Sequence, residues 1–482
     1  MIPHRKLYIE GRNPAPLPCS TICSPWDGSV VATMEMADQE MLETALDGAV
    51  SAWRSWRNSS RYLRSRVLQC VADKLIDRQE ELVKMIVDEA GKPKDLARIE
   101  IQRAANCFHL AAQETLRFSG EVIPADTSAA TRFHRPAITE PTPRGPVLAI
   151  TPFNFPLNLA AHKVAPAIAA GTSTLLKPPP QAPSAAWLLA EIVREAASTL
   201  SDEHEQVPPS LVQVLNTSNE VAAKAVSDSR TAILSFTGSD TVGWRLQSLA
   251  QRKKVLLELG GTGTAIVDRD TDLAYAAKRC AFGAFAYAGQ ICISVQHILV
   301  EASVYEAFKS FLLQEVLSIT TGDPAREGVL TGPVIDSRAV ARLESWLAQA
   351  VDAGAAIVSG GTFSKACLPP TLLENVPADT PIHREEVFGP VATLGVFSSF
   401  DDVAKFVNES RYGLQAGLFT QRREFIDYAF ANLEVGGLVI NDIPTFRADH
   451  LPYGGFKDSG LGREGIRFAM NEFTELKTLI NC

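Results

Sequence analysis

The sequence predicts an α/β protein of two lobes, a Rossmann-like doubly wound lobe and a second α/β lobe. Three observations lead there. Helical periods and short apolar strands alternate through most of the chain, the pattern of largely parallel sheets with crossover helices. The length of 482 residues exceeds what one hydrophobic core serves, because single cores stop growing near ~250–300 residues. The stretch from Val147 to Leu176 reads as strand, turn, helix and strand, which is a β-α-β unit.

Taken in order, Asp38 to Trp53 places Met41, Leu42, Ala45, Leu46 and Ala49 at helical spacing. Tyr62 to Glu89 continues with Val67, Leu68, Val71, Leu75, Leu82 and Ile86, and Gly91-Lys-Pro93 stops the helix. Val147 to Ile150 is a buried strand, Thr151 to Pro156 a turn, His162 to Ala170 a helix and Ser173 to Leu176 the next strand. A helix from Ser184 to Ala197 and strands near Val212–Leu215 and Ala232–Phe236 extend this unit into an open sheet. From about Val255 a second block begins, with helices at Leu273–Tyr287, Val304–Leu317, Arg338–Ala353 and Asp401–Val407. Strands near Ile357, Leu394, Leu418 and Val439 separate the later ones. A cleft between the lobes follows.

Composition narrows the function. With 46% hydrophobic residues and a formal charge of −9, the chain lacks the basic surplus that nucleic acid or an anionic membrane requires, so small molecules are the expected ligands. The opening Met-Ile-Pro-His-Arg-Lys has no apolar signal segment, and no apolar run reaches the ~18–20 residues that cross a bilayer, so a cytoplasmic enzyme is expected. The eight cysteines form no CxxC pair, which points away from a disulfide framework and from a zinc or other metal site.

Three residues carry chemistry. Cys292, in Ala288-Gly-Gln-Ile-Cys-Ile-Ser294, follows a glycine turn at the end of an apolar helix; alone, such a cysteine is ordinarily a structural thiol. Glu258, in Leu257-Glu-Leu-Gly-Gly261, is a single acid in an apolar run, where burial raises a carboxyl pKa and suits it to act as a base. Asn154 sits on a Pro-framed turn at the carboxyl end of a strand, where open α/β sheets bind ligands, and its amide can donate to an oxyanion.

The segments Phe-Asn-Phe-Pro at 153–156, Lys-Pro at 177–178, Phe-Thr-Gly-Ser at 236–239, Glu-Leu-Gly-Gly at 258–261, Gly-Gln-Ile-Cys at 289–292, Glu-Glu-Val-Phe-Gly-Pro at 385–390 and Pro-Tyr-Gly-Gly-Phe-Lys-Asp-Ser-Gly at 452–460 together resemble the aldehyde dehydrogenase superfamily. They stand in family order, and the resemblance extends from Leu7-Tyr-Ile-Glu-Gly11 to Phe473-Thr-Glu-Leu-Lys477. It implies oxidation of an aldehyde to a carboxylic acid with NAD or NADP. Cys292 is then the nucleophile that forms a thiohemiacetal, with Asn154 and the Cys292 N–H holding the oxyanion. Glu258 activates the water that hydrolyses the thioester, and Lys163 and Glu464 relay protons from it or form a mere surface pair. For the cofactor, the resemblance implies Thr151, Pro152 and Phe153, Lys177 and Glu386 on the ribose hydroxyls, and Phe388 against the nicotinamide ribose. Gly238 and Ser239 open a helix toward the pyrophosphate, and Leu259 and Gly260 complete the set. Pro180 and Gln181 lie by the adenosine ribose.

Departures from the pattern are informative. Lys177-Pro-Pro-Pro180 lacks the acid that binds a ribose 2′-hydroxyl in many relatives, which weakens discrimination against NADP, and Asn216 and Ser218 stand where glycines are usual. For the substrate, Arg117 and Arg447 match tunnel positions of relatives that handle phosphorylated or lactaldehyde-type substrates, with Arg103 as a third candidate. Each also fits a paired surface arginine, and Ile291 replaces an arginine found before the nucleophile in phosphate-handling relatives. A short polar, hydroxylated or anionic aldehyde is expected.

The rival functions are an acylating, coenzyme A-dependent semialdehyde dehydrogenase, against which Glu258 speaks, and a non-catalytic relative, against which the intact Cys292, Glu258, Asn154 and Lys177 speak. The family architecture implies that residues 1–121, 143–254 and 449–466 form the cofactor domain and 255–448 the catalytic domain. The hairpin 122–142 and the C-terminal strand within 467–482, running from Thr474 to Asn481, form an element whose exposed edge pairs subunits into a homodimer or homotetramer.

Overall fold

The computed structural model describes residues 2–12 and 17–480. Its first large sheet has six strands in the order Gly460–Leu461, Lys254–Glu258, Ile233–Thr237, Val147–Ile150, Thr174–Lys177 and Val212–Val214. All neighbours run parallel except the first pair. Strand order reverses between Val147–Ile150 and Ile233–Thr237, so the crevice of a doubly wound sheet opens at their carboxyl ends, at Thr151 and Gly238. The strand Lys254–Glu258 belongs to this sheet. This corrects the expectation that the second block starts near Val255: the crossing comes after Glu258, because Lys254–Glu258 pairs along its whole length with Ile233–Thr237 inside the first sheet.

The second sheet has seven strands in the order Ala356–Ser359, Thr371–Glu374, Val391–Phe397, Val295–Glu301, Gly263–Val267, Gln415–Phe419 and Gly437–Ile440. Only its first pair is antiparallel. A third sheet joins Val122–Ile123, Ala137–Pro143 and Thr474–Leu479, all antiparallel. Asn481, where the sequence reading ended this strand, lies outside the described residues. A fourth, of His4–Arg5, Val30–Glu35 and Cys19–Cys23, covers the first lobe.

Two helical readings are corrected. The long period from Tyr62 to Glu89 is two helices, Arg61–Asp77 and Gln79–Ala90. Arg78 leaves helical geometry between them and its guanidinium bridges Glu81 and Glu195. The helix from Leu273 stops at Phe285 rather than Tyr287, because Tyr287, Ala288 and Gly289 all take left-handed backbone conformations. Two of these carry side chains, so the turn stores strain and must be held from outside. Between Gly91 and the third sheet, Lys94–Arg117 forms a helix that buries Ala97, Ile101, Ala104, Phe108 and Ala111 against Asn158–Ala170 and Arg61–Asp77.

Candidate active site

A cavity of about 720 Å³ lies between the two large sheets. Its wall contains Cys292, Glu258, Asn154, Ile291, Pro152, Phe153, Gly238, Ser239, Leu259, Gly260, Glu386, Phe388, Arg103 and Arg447. The fold thus brings most of the residues singled out above to one place.

The nucleophile loop is held on several sides. The Tyr287 hydroxyl donates to the Ala90 carbonyl at 2.9 Å, and the Gln290 side chain donates to the Pro333 carbonyl at 3.3 Å while accepting from the Ile335 N–H at 2.9 Å. Asn154 Nδ2 donates to the Gln290 carbonyl at 2.9 Å. That bond fixes the amide next to the loop and leaves it a second N–H for an oxyanion. Gly289 has a positive φ, and a Cβ there would run into the Gly389 carbonyl, so only glycine fits the tip of the turn. Burial pushes the Cys292 thiol up to about 11; the Tyr453 hydroxyl, 3.2 Å from Sγ, and Arg447 pull it down, and Glu386 and Glu258 oppose them.

Glu258 is 4% exposed and its Oε2 has no hydrogen-bond partner. Burial first, and then the charge of Glu464, raise its pKa well above the usual carboxylate range. Lys163 and Glu464 are a fully buried pair, which settles the surface reading against them: Lys163 Nζ donates to Glu464 Oε1 at 2.9 Å and to Ser235 Oγ at 3.0 Å. Arg447 Nη2 donates to the other Glu464 oxygen at 3.0 Å. Burial works against the Glu464 charge, but Lys163 and Arg447 outweigh it and hold that carboxyl below the usual range. Of the two acids, Glu464 is therefore the ionised one and Glu258 keeps its proton longer.

The arginines separate. Arg117 is mostly exposed, pairs with Glu114 at 2.8 Å and does not reach the cavity, so the structure removes it from the substrate candidates: it is the last residue of its helix and points along the surface. Arg447 and Arg103 do face the cavity. Both flank the buried Asp449, with Arg103 Nη2 at 2.6 Å and Arg447 Nε at 4.0 Å. Burial opposes the Asp449 charge, but His162, whose Nε2 is 3.0 Å away, and Arg103 hold it low. Cys107, His162 and Asp449 bring their ligand atoms within 4.8 Å of one another. The two guanidinium groups on Asp449 would repel a metal ion there, and the trio reads as the inner end of the charge network.

The cofactor candidates fall into two groups. Gly238 and Ser239 precede the helix Asp240–Leu249, whose cap residue Ser239 makes no side-chain capping bond, leaving first-turn N–H groups for an anion. Glu386 accepts from the Gly261 N–H at 3.2 Å, and burial pushes its carboxyl up to about 8. A Cβ on Gly260 would overlap that carboxylate. Phe153 meets Phe388 edge to face at 5.9 Å. Lys177 and Thr151 sit behind this wall. Lys177 is a buried ammonium whose hydrogen bond is a long one, 3.5 Å to the Pro178 carbonyl, and burial lowers its pKa. The hydroxyls of Thr151 and Thr237 are buried without partners. Uncapped N–H groups, orphaned hydroxyls and a buried unpaired ammonium fit a polyhydroxylated, anionic dinucleotide. Pro180 and Gln181 line a different cavity, of about 880 Å³, against Cys23, Glu89 and Ser337. Asn216 and Ser218 have structural work: the Asn216 amide donates to the Glu35 carbonyl at 2.9 Å and Ser218 caps the helix Asn219–Ser227.

Sequence reasoning missed Tyr453, Asp449, and the buried Lys92–Glu100 pair. Glu100 accepts the N–H groups of Leu157 and Asn158 at 2.9 and 3.1 Å, and Lys92 lies over the Phe155 ring. The signal available was charge at apolar helical positions: Glu100 sits beside Ile101 on the buried face of its helix.

These features define a cysteine-dependent dehydrogenase with a dinucleotide crevice. The chain belongs to the aldehyde dehydrogenase family, whose model matches residues 17–479, and it is an NAD(P)-dependent aldehyde dehydrogenase. It is 37% identical over 98% of its length to a 3-sulfolactaldehyde dehydrogenase of Priestia megaterium, covering 97% of that protein. It is 35% identical to a sulfoacetaldehyde dehydrogenase of Neptuniibacter caesariensis, covering 95% of this chain and 99% of the relative. Among solved structures, aldehyde dehydrogenase 21 from Physcomitrella patens in complex with the reaction product succinate superposes with a TM-score of 0.95 at 36% identity, over 100% of this chain and 98% of that one. Glyceraldehyde-3-phosphate dehydrogenase GapN from Methanocaldococcus jannaschii complexed with NADP gives 0.91 at 36%, over 96% and 98%. Among the described residues no helix is long and apolar enough to cross a membrane.

Proposed function

We propose that this enzyme oxidises a short aldehyde bearing a carboxylate, sulfonate or phosphate group, and that it accepts NADP as well as NAD. One observation carries the substrate class: two guanidinium groups, those of Arg103 and Arg447, face the cavity that holds Cys292. Both flank the buried Asp449, and Arg447 also pairs with Glu464. An anionic group on the substrate gains from these two cations in a desolvated pocket, where a charge pair counts most. The names of the relatives, 3-sulfolactaldehyde and sulfoacetaldehyde dehydrogenase, and the reaction product succinate in the Physcomitrella patens enzyme support the same class.

In this reading Cys292 attacks the aldehyde carbon, and the second Asn154 N–H and the Cys292 N–H take the oxyanion. The nicotinamide ring, when bound, accepts the hydride. Glu258 then takes a proton from water that attacks the thioester, with the Lys163–Glu464 pair as its outlet for protons. Glu386 and Lys177 hold ribose hydroxyls, the Asp240–Leu249 helix start receives the pyrophosphate, and Thr151, Pro152, Phe153, Leu259, Gly260 and Phe388 enclose the cofactor. Pro180 offers no carboxylate to repel a 2′-phosphate, which supports NADP, and Gln181 lies beside it. A buried base close to the nucleophile favours hydrolysis over transfer to coenzyme A. The open edges of the third sheet, carrying exposed Val122, Ile123, Leu476 and Leu479, support a homodimer or homotetramer, and a working thiol suits the reducing cytoplasm.

The test is a panel of neutral, carboxylated, sulfonated and phosphorylated aldehydes of matched size, assayed with NAD and NADP separately and with or without coenzyme A. Equal kcat/KM for neutral and anionic members would overturn the substrate class.

A further inference from the structure

Tyr453 belongs to the Pro-Tyr-Gly-Gly stretch and has no role in the reading above, yet it makes the closest polar contact to the nucleophile. Its hydroxyl lies 3.2 Å from Cys292 Sγ. The side chain is buried, and the Arg447 guanidinium carbon stacks 3.8 Å from the ring centroid. Backbone bonds between Tyr453 and Glu464 in both directions, at 3.0 and 2.7 Å, fix the residue from behind. A phenol clamped this firmly against a sulfur is a preorganised donor.

We propose that Tyr453 is a catalytic residue: its hydroxyl donates to the Cys292 sulfur and stabilises the thiolate that attacks the aldehyde, while Arg447 holds the ring in place. Without that donor, the sulfur lies in a pocket that disfavours charge. Burial raises its pKa most, Glu386 and Glu258 add like charge, and Arg447 is the cation among the groups facing it. Burial and the neighbouring thiol also raise the Tyr453 pKa, so the phenol stays protonated and able to donate wherever the thiolate forms. In the thiohemiacetal the sulfur is neutral and needs this bond less, so the contact favours the attacking form over the resting thiol and does not burden later steps.

The experiment is the pH profile of Cys292 alkylation by iodoacetamide in the full-length protein, read by mass spectrometry of the peptide carrying Cys292, so that exposed Cys19 and Cys23 do not contribute. Tyr453→Phe keeps the ring under Arg447 and removes only the donor. A lost charge-assisted hydrogen bond moves the midpoint up by about one pH unit or more, so alkylation below the midpoint is about tenfold slower. Tyr453→Met, which removes ring and donor together, shifts the midpoint the same way and serves if the phenylalanine variant does not fold. A midpoint that stays within a few tenths of a unit in the folded variant would mean that the contact is packing only and would overturn the proposal. A fall in the midpoint would overturn it as well.

Discussion

Replacing Glu464 by glutamine separates two effects that this site couples. In the wild type, Glu464 is the shared anion of two buried cations, Lys163 at 2.9 Å and Arg447 at 3.0 Å, with all three side chains at most 8% exposed. Removing that charge leaves both cations buried without it, a change that costs ~3–5 kcal/mol of stability in comparable buried pairs. The second effect concerns Glu258. Glu464 raises the Glu258 pKa, whereas Lys163 and Arg447 lower it, so glutamine at 464 shifts Glu258 downward. The coupling of two strongly interacting carboxyls exceeds about one pK unit, and the shift is expected on that scale. The sign follows. Glu258 works as a base only when ionised, so thioester hydrolysis in the wild type rises with pH through a midpoint above the ordinary carboxylate range. In Glu464→Gln that rise moves to lower pH even though the protein is less stable. Single-turnover deacylation rates across pH, with thermal denaturation in parallel, measure both. An unmoved or upward-moving deacylation midpoint in a folded variant would refute the electrostatic account.

Cys292→Ala is expected to abolish oxidation while leaving dinucleotide affinity within about twofold, measured by cofactor fluorescence titration, since the covalent bond needs the sulfur and the dinucleotide does not. Arg103→Met is expected to cost ~2–5 kcal/mol in kcat/KM for anionic aldehydes and almost nothing for neutral ones. Arg103 is the cleaner probe, because Arg447 also holds Glu464 and Tyr453. Pro180→Glu is expected to move the ratio of kcat/KM toward NAD, since a carboxylate at that position favours a ribose 2′-hydroxyl and repels a 2′-phosphate; an unchanged ratio would place the adenosine elsewhere. Gly460→Ala puts a Cβ against the Leu257 carbonyl and is expected to lower kcat about tenfold or more by shifting the segment that carries Glu464. Dinucleotide titration is expected to change less than kcat, because the Val147–Ile150 and Ile233–Thr237 strands at the crevice keep their pairing in the middle of the sheet.

The alternation of strands and helices and the seven ordered segments were legible because they depend on local pattern. Cys292, Glu258 and Asn154 stand in segments whose neighbours already restrict them, namely a glycine turn, an apolar strand and a proline-framed turn. The Lys94–Arg117 helix was overlooked because its buried face is mostly alanine with two glutamates, Glu100 and Glu114, and Ile101 and Phe108 alone are too few to mark a large apolar stripe. The left-handed turn at Tyr287–Gly289 was invisible for another reason: nothing local favours it, and its supports come from Ala90, Pro333, Ile335 and Asn154, far along the chain. Arginine roles were the least legible. Arg117 and Arg447 look alike as letters, and only tertiary position makes one a surface residue paired to Glu114 and the other a buried partner of Glu464.

The topology explains why so much of the chemistry depends on one late segment. Glu258 ends the strand at which the chain leaves the first sheet, and the chain does not return to that edge until Gly460–Leu461 pairs antiparallel with it, Gly460 opposite Glu258. The residues just before and after that pairing are Arg447, Asp449, Tyr453 and Glu464. They set the charge around the base, touch the nucleophile and meet Arg103 from the first lobe. The Leu259 N–H donates to the Ser459 carbonyl and the Ser459 hydroxyl to the Gly260 carbonyl, at 3.0 and 2.8 Å, so the outgoing and returning chains are tied together at the crossing. Base, nucleophile partner and the cavity-facing Arg447 therefore share one mechanical reference, the seam between the lobes. A displacement of the returning segment is expected to change acylation and hydrolysis together and, through the Ser459 bonds to Leu259 and Gly260, to reach one wall of the cavity, whereas the wall at the Val147–Ile150 and Ile233–Thr237 strand ends is held by the first sheet.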